Sequence, residues 1–324
     1  MAEILPAQKA LSRALELLAA GEVLAIPTET VYGLAADATN GAAVARIYEA
    51  KRRPRFNPLI AHVADIAMAE EQVTFDPLSR RLAEAFWPGP LTLVLPLKGT
   101  ASVHKLATAG LDTLAVRRPR GFAAELIAGL GRPLSAPSAN SSGRVSPTTA
   151  AHVAADLGDR IPLIVDGGAA PVGVESTIVK VEGEKVRLLR PGGVAADEIE
   201  AVAGRPLLRG SDGAIEAPGM MSSHYAPAAR LRLDATEVRE GEALLAFGPK
   251  RAVHADRAVV VENLSPAGDL REAAAALFAA MQRLDAARAG VVAVEPIPIE
   301  GLGEAINDRL RRAAAPRDNG GDRA

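Results

Sequence analysis

The chain has 324 residues, more than one ordinary domain needs, and with 48% hydrophobic residues it can build more than one core. Its 37 Lys and Arg nearly cancel its 39 Asp and Glu, so no bulk positive field holds it on nucleic acid or an anionic membrane. The absence of cysteine removes disulfides, thiolate zinc sites and cysteine nucleophiles together.

Residues 1–9 show no long apolar run behind a basic start, and nowhere do 18 apolar residues follow one another. Neither a signal peptide nor a membrane span is expected, and a soluble cytoplasmic protein is. The sequon Asn140-Ser-Ser142 is then incidental for glycosylation. From residue 7 to 20 apolar side chains recur at Leu11, Ala14, Leu15 and Leu18, the spacing of one helix face, and Gly21 stops it. Residues 23–26 form a short buried strand. Further strands are predicted at 59–63, 91–95, 114–117, 163–165, 177–181 and 186–189. Between them come helices at 42–52, 77–86 with Asp76 as N-cap, 123–130, 149–157 and 196–203. This interleaving is α/β or α+β in character. Residues 205–230 lack sustained periodicity and read as a linker. Beyond it, strands at 243–247, 258–261 and 291–294 alternate with helices at 270–288 and 303–313, a small parallel-sheet unit. The polar stretch 316–324 reads as disordered. The expected division is therefore a first domain over 1–204, a linker or lid over 205–230, a small α/β domain over 231–315 and a tail over 316–324.

No GxxxxGK[ST] P-loop, GxGxxG or HExxH string occurs, and no internal repeat is evident. Chemistry must sit in other clusters. Pro27-Thr-Glu-Thr-Val-Tyr-Gly-Leu34 puts two hydroxyls, a carboxylate and a phenol after an apolar strand, either a small-ligand rim or a capped turn. Lys51-Arg-Arg-Pro-Arg55 packs four cations into five residues, which suits either a solvated helix end or a phosphate site beside a sheet end. His62 lies inside an apolar strand and reads as a core histidine or a ligand contact. Asp112-Thr-Leu-Ala-Val-Arg117 brings an arginine to a strand end. Ser135-Ala-Pro-Ser-Ala-Asn-Ser-Ser-Gly143 and Ser146-Pro-Thr148 cluster hydroxyls and amides on small spacers, which suits sugar or phosphate oxygens. Gly173-Val-Glu-Ser-Thr-Ile178 and Arg190-Pro-Gly-Gly193 stand at further strand ends.

In this order, with Pro218-Gly-Met-Met-Ser-Ser-His-Tyr-Ala-Pro227 after them, these strings resemble the YrdC-like threonylcarbamoyl-AMP synthase family in its long, two-domain form, over roughly residues 7–230. The resemblance implies a twisted, mixed-sheet YrdC-like catalytic domain followed by a small Rossmann-like C-terminal domain. It implies a nucleotidyltransferase that joins L-threonine, bicarbonate or CO2 and ATP into threonylcarbamoyl-adenylate and pyrophosphate, for N6-threonylcarbamoyladenosine in ANN-decoding tRNAs. Carried over residue by residue, Thr30, His62, Arg117 and Ser176 look like the threonine set. Lys51, Arg53, Asn57, Thr113, Ser138, Asn140, Ser146, Arg190 and Tyr225 would contact ATP, with Lys51 and Arg53 as the catalytic pair and Tyr225 closing over the site. Mg²⁺ would arrive on the ATP phosphates, with no metal site of the protein's own. A downstream tRNA threonylcarbamoyl transferase would be a partner, while tRNA binding by this chain and membrane attachment are not required. The rivals are an RNA- or ribosome-binding protein, which the net charge of -2 does not favour, and a carbamoyl-transfer enzyme of hydrogenase maturation, which normally carries zinc-finger cysteines.

Overall fold

In the computed structural model, which describes residues 1–209, 216–220 and 224–316, the chain divides into two units: Met1–Ser142 with Ser146–Met220, and Gly143–Val145 with Met221–Ala324. Residues 210–215 and 221–223 of the expected linker, and 317–324 of the expected tail, lie outside the described residues.

The first unit begins with β1 (Glu3–Pro6), α1 (Ala7–Ala19), β2 (Leu24–Ile26), β3 (Gly33–Asp37), α2 (Gly41–Lys51) and β4 (Ile60–His62). It continues with α3 (Ile66–Gln72), α4 (Pro77–Phe86), β5 (Leu91–Pro96), α5 (Lys105–Thr108), β6 (Thr113–Arg117), α6 (Phe122–Leu130) and β7 (Leu134–Ser135). After these come α7 (Ala150–Leu157), β8 (Leu163–Asp166), β9 (Thr177–Glu182), β10 (Lys185–Arg190), α8 (Ala196–Ala203) and β11 (Leu208–Arg209). The strands join one mixed sheet of eleven in the order β1-β8-β2-β3-β7-β4-β6-β5-β9-β10-β11. Caps set several helix ends. Asp76, the expected N-cap of α4, forms a capping box with Ser79, and Asn40 accepts from the Ala42 and Ala43 amides at α2.

Two elements invisible in the pattern explain how the sheet closes. In β1, Glu-Ile-Leu-Pro, three of the four residues are exposed, so no apolar alternation announced it; parallel pairing with β8 makes it a strand. β3 is Gly-Leu-Ala-Ala-Asp, poor in β-formers, and holds because β2 and β7 pair with it on both sides.

The sheet's two faces are treated differently. One face forms a continuous core in which strand side chains such as Ala61, Leu93, Val116 and Leu188 meet helix side chains from α2, α4, α7 and α8. On the other face a second core joins Ala14 and Leu18 of α1 and Leu126 and Ile127 of α6 to β2, β3, β7 and β8. Farther along that face, Ile60, Val94, Ala115, Ile178 and Leu189 form a small patch with Ala217, and none of its members comes from a helix.

The second unit holds β12 (Arg230–Arg232), β13 (Ala243–Ala246), one 3-10 turn (Ala255–Arg257), β14 (Val261–Asn263), α9 (Leu270–Ala286), β15 (Val291–Val294) and α10 (Gly303–Ala314). Its four strands are all parallel, in the order β12-β15-β13-β14. The strand expected at 258–261 moves to β14, because the register on β13 starts at Leu244↔Val261 and the residues before it turn. No helix among the described residues is long and apolar enough to cross a membrane.

Candidate functional site

Side chains two apart on a strand point to the same face. His62 is two residues beyond Ile60, Arg117 and Thr113 flank Ala115 by two, and Thr92 and Ser176 stand two before Val94 and Ile178. All five therefore share a face with the helix-free patch. Arg190 joins them through its register with Ile178 across a β-bulge. Sheet register thus gathers His62, Thr113, Arg117, Ser176 and Arg190 from four different strands or strand approaches.

At one end of this face, β4 and β6 run parallel with His62 opposite Arg117. The Arg117 guanidinium is committed in three directions. Nε donates to the Gly89 carbonyl (3.2 Å), Nη1 to the Thr30 hydroxyl (2.9 Å), and Nη2 pairs with Glu29 Oε1 (2.7 Å). The loop that supplies Thr30 is shaped by Thr28, whose hydroxyl donates to the Val31 carbonyl (2.6 Å) and lies 2.9 Å from the Thr30 hydroxyl. Glu29 Oε2 also accepts the Arg120 amide (3.2 Å), and both members of the ion pair are buried. His62 is buried with no hydrogen-bond partner at Nδ1. Burial above all, and then the Arg117 charge, push its pKa down to about 3, so the ring is neutral near pH 7.

Ser176 and Arg190 make a second group. The Ser176 hydroxyl lies 2.7 Å from that of Thr92, and Arg190 Nη2 donates to the Ser176 carbonyl (2.8 Å) and hydroxyl (3.2 Å). Arg190 Nη1 reaches the Pro218 carbonyl at 3.3 Å. Here the Arg190-Pro-Gly-Gly193 string has a steric reason: a Cβ on Gly192 would stand 2.3 Å from the Glu175 carbonyl and 2.4 Å from the Thr177 nitrogen.

The third group lies where β4 and β6 begin, about 13 Å along the strand from Arg117 to Thr113. Lys51, the last residue of α2, is buried, and its Nζ donates to the carbonyls of Ser138 and Asn140, both at 2.5 Å. Burial and then the Arg53 charge depress its pKa well below the usual lysine value, while the Asp156 and Glu175 carboxylates partly offset them. Arg52 adopts φ +52° at the helix end, turning the chain into residues 53–58. Arg53 folds back over that turn, donating to the carbonyls of Asn57 (3.2 Å) and Pro58 (2.8 Å). Ser146 donates to Glu175 Oε1 (2.6 Å), which ties it to the Ser176 group. The Pro27 and Ser135 strings are stitched together as well, since Leu34 N donates to the Pro137 carbonyl and Ala139 N to the Tyr32 carbonyl.

Tyr225 belongs to the second unit. Its ring stacks on Phe278 (centroids 5.5 Å apart, 26° between planes), the Arg309 guanidinium lies 5.1 Å from its centroid, and its φ is +64°. Among the described residues no group of three or more His, Asp or Glu side chains could hold a metal ion. Reading the motifs had not singled out Glu29, Thr92 or Glu175. The first and last stand inside motifs beside chosen residues, and a buried arginine's need for a carboxylate was the available signal; Thr92 gives none before the pairing of β5 with β9 is known.

Comparison with known proteins follows the two units. A family model described as Telomere recombination matches residues 16–192, and one described as Threonylcarbamoyl-AMP synthase, C-terminal domain, matches residues 194–315. The threonylcarbamoyl-AMP synthase of Bacillus subtilis is 41% identical over 95% of this chain and 93% of its own, and that of Pyrococcus abyssi 42% identical over 92% of each. The crystal structure of P. abyssi Sua5 complexed with L-threonine superposes with a TM-score of 0.87 at 38% identity, covering 96% of this chain and 97% of that one.

Proposed function

The chain belongs to the threonylcarbamoyl-AMP synthase family, complete with that family's C-terminal domain, and from that premise we propose that it makes threonylcarbamoyl-adenylate from L-threonine, bicarbonate or CO2, and ATP. The observation that carries this reading is the buried Arg117 guanidinium, held by Glu29, Thr30 and the Gly89 carbonyl beside a neutral His62. Nε and Nη1 each donate one hydrogen bond, and Nη2 is ion-paired with Glu29 without donating one, so N–H groups of Nη1 and Nη2 are left for an α-carboxylate. Thr30, His62 and Ser176 complete the amino-acid subsite.

The threonine amine and CO2 form a carbamate, and a carbamate oxygen attacks the α-phosphorus as the bond to the pyrophosphate leaving group breaks. No protein nucleophile is needed, because the attacking group is already anionic. Bringing two anions together is the difficulty, and the chain answers it with position and charge. Lys51, Arg53 and Arg190 neutralise the phosphates; Asn57, Thr113, Ser138, Asn140 and Ser146 orient the nucleotide; Tyr225 is assigned to the ATP set by the resemblance. Thr113 stands at one end of the sheet face and Arg117 at the other, while Arg190 and Ser146 reach the Ser176 group, where phosphates and amino acid would meet. Mg²⁺ accompanies ATP, held chiefly by its phosphates, and would add positive charge to the leaving group. The adenylate then serves a cytoplasmic transferase that modifies tRNA.

Purified protein incubated with ATP, Mg²⁺, threonine and bicarbonate is expected to release pyrophosphate and accumulate a threonine-containing adenylate, each dependent on both threonine and bicarbonate. Full pyrophosphate release without threonine rejects the reading. Serine, lacking one methyl, is expected to be poorer by roughly 10- to 200-fold in kcat/KM.

A further inference from the structure

Asp156 and Arg160 stand in no motif that the sequence offered, yet they grip the two strings that carry Lys51 and Asn140. Asp156 lies in the last turn of α7, and Arg160 follows just beyond that helix, its amide bonded to the Leu157 carbonyl (2.8 Å). The Asp156 carboxylate accepts the Ser141 amide through Oδ2 and the Ser141 hydroxyl through Oδ1, both at 2.6 Å. Arg160 Nη2 donates to the same hydroxyl (2.7 Å) and to Asp156 Oδ1 (3.0 Å), while Nη1 reaches the Ala50 carbonyl at 2.6 Å. Ala50 is the residue before Lys51, so Arg160 caps the C-terminal end of α2 with a cation. A last bond, Ser142 N to the Lys51 carbonyl (2.8 Å), closes the ring.

We propose that Asp156 and Arg160 are a positioning pair for the nucleotide half of the site, locking the end of α2 to the Ser138–Ser142 loop so that Lys51 and Asn140 face one phosphate position. Neither touches substrate. Each works through a neighbour: Asp156 through Ser141 and hence Asn140, Arg160 through Ala50 and hence Lys51. A bidentate carboxylate shared between a backbone amide, a hydroxyl and a guanidinium leaves the loop little freedom, and catalytic geometry tolerates errors of only a fraction of an ångström. The arrangement treats the two substrates unequally. The Arg117 and Thr30 group hangs from β6 and the Thr28 loop, with no bond to Asp156 or Arg160 among those described.

The proposal rests on the nucleotide role assigned above to Lys51 and Asn140, and its test separates the two. Asp156→Asn and Arg160→Lys are compared with the unmodified protein for ATP affinity by calorimetry, threonine affinity, amide exchange at Ser141 and Ser142, and turnover. Asp156→Asn is expected to weaken ATP binding by about tenfold and lower kcat by roughly 10- to 100-fold while threonine affinity stays within twofold. Exchange at Ser141 and Ser142 is expected to quicken at least tenfold. Removing that carboxylate also strips Lys51 of a charge that favours its ammonium, so the alkaline limb of kcat/KM for ATP is expected to move to lower pH. Arg160→Lys keeps a cation able to bond one carbonyl and is expected to fall between. Equal losses for ATP and threonine would overturn the positioning role in favour of general damage, and unchanged ATP affinity and kcat in both folded variants would overturn it outright. Should the unmodified protein bind ATP yet make no adenylate, the synthase reading fails while the ATP and exchange comparisons still decide the pair.

Discussion

On the β1 to β7 half of the eleven-stranded sheet, the face under α1 and α6 is closed by leucine, isoleucine, valine and alanine, whereas on the β4 to β10 half the same face carries His62, Arg117, Thr92, Ser176 and Arg190 around a few apolar residues. The border can be placed on one register pair. Leu134 of β7 is part of the helix-covered core, and His62, its partner on β4, stands on the open patch. Backbone pairing is the same on both sides, so the sheet alone does not decide which half becomes a site. What decides it is the connection: helices return over one half, and loops rich in Thr, Ser, Pro and Gly return over the other. Buried charge is tolerated there because each group is compensated, Arg117 by Glu29 and Arg190 by the Ser176 and Pro218 oxygens.

Removing the compensated charge gives the largest expected effect. Arg117→Ala should lower threonine-dependent kcat/KM by roughly 10² to 10³. It should also destabilise the protein by about 3 to 5 kcal/mol, because the Glu29 carboxylate, only 8% exposed, would be left without its partner. Arg117→Met combined with Glu29→Gln should recover most of the stability and none of the turnover. Chemical unfolding and a pyrophosphate assay on the same samples check both halves of the statement. If the double variant regained turnover, Arg117 would be a structural charge only.

On the covered half stability falls while turnover does not. Leu126→Ala, at a fully buried position on the inner face of α6, should cost about 2 to 5 kcal/mol in unfolding free energy through lost transfer energy and a cavity. Turnover per folded molecule should stay within about twofold. A loss of kcat as large as that of Arg117→Ala would mean that the two halves are mechanically one.

The same contrast marks what could be read from sequence. Covered elements announce themselves by period: the helices at 77–86 and 196–203 match α4 and α8 to the residue, and that at 123–130 differs from α6 only at its first residue, Phe122. β3 did not, since alanine and glycine carry no strand signal until β2 and β7 flank it. Site residues were legible as strings at strand ends. Their pairing was not, because the contact of Thr30 with Arg117 and of Thr92 with Ser176 spans more than eighty residues and depends on strand order. Glu29 was visible but unassigned: nothing local says that its partner is an arginine on β6.

At the border, His62 gives a smaller and pH-dependent effect. Its pKa in the folded chain is about 3 against an ordinary 6.5, so the unfolded chain takes up the proton first as pH falls. The neutral ring's contribution is complete above pH 6.5 and is lost between 6.5 and 3, at about 1.4 kcal/mol per pH unit in that window. His62→Gln, which cannot titrate, should flatten that part of the stability profile measured by chemical unfolding at pH 7 and pH 5. Identical slopes for the two proteins would show that the ring is not held neutral.

The smallest effect expected is at Thr92, which sharpens the comparison by asking whether a hydroxyl on the open half acts directly or through its neighbour. Thr92→Val keeps shape and burial and removes one hydrogen bond, the 2.7 Å contact with the Ser176 hydroxyl. The loss should be about 1 kcal/mol in stability, because a single neutral bond is exchanged for an apolar contact beside Val94 and the Ser176 hydroxyl keeps its contact with Arg190. If Thr92 only orients Ser176, then Thr92→Val should lower kcat/KM for threonine by no more than about tenfold, and adding it to Ser176→Ala should change nothing further. That outcome is a coupling energy equal to the whole effect of the Thr92 substitution, as expected for residues in direct contact. Additive losses would place Thr92 against the substrate itself.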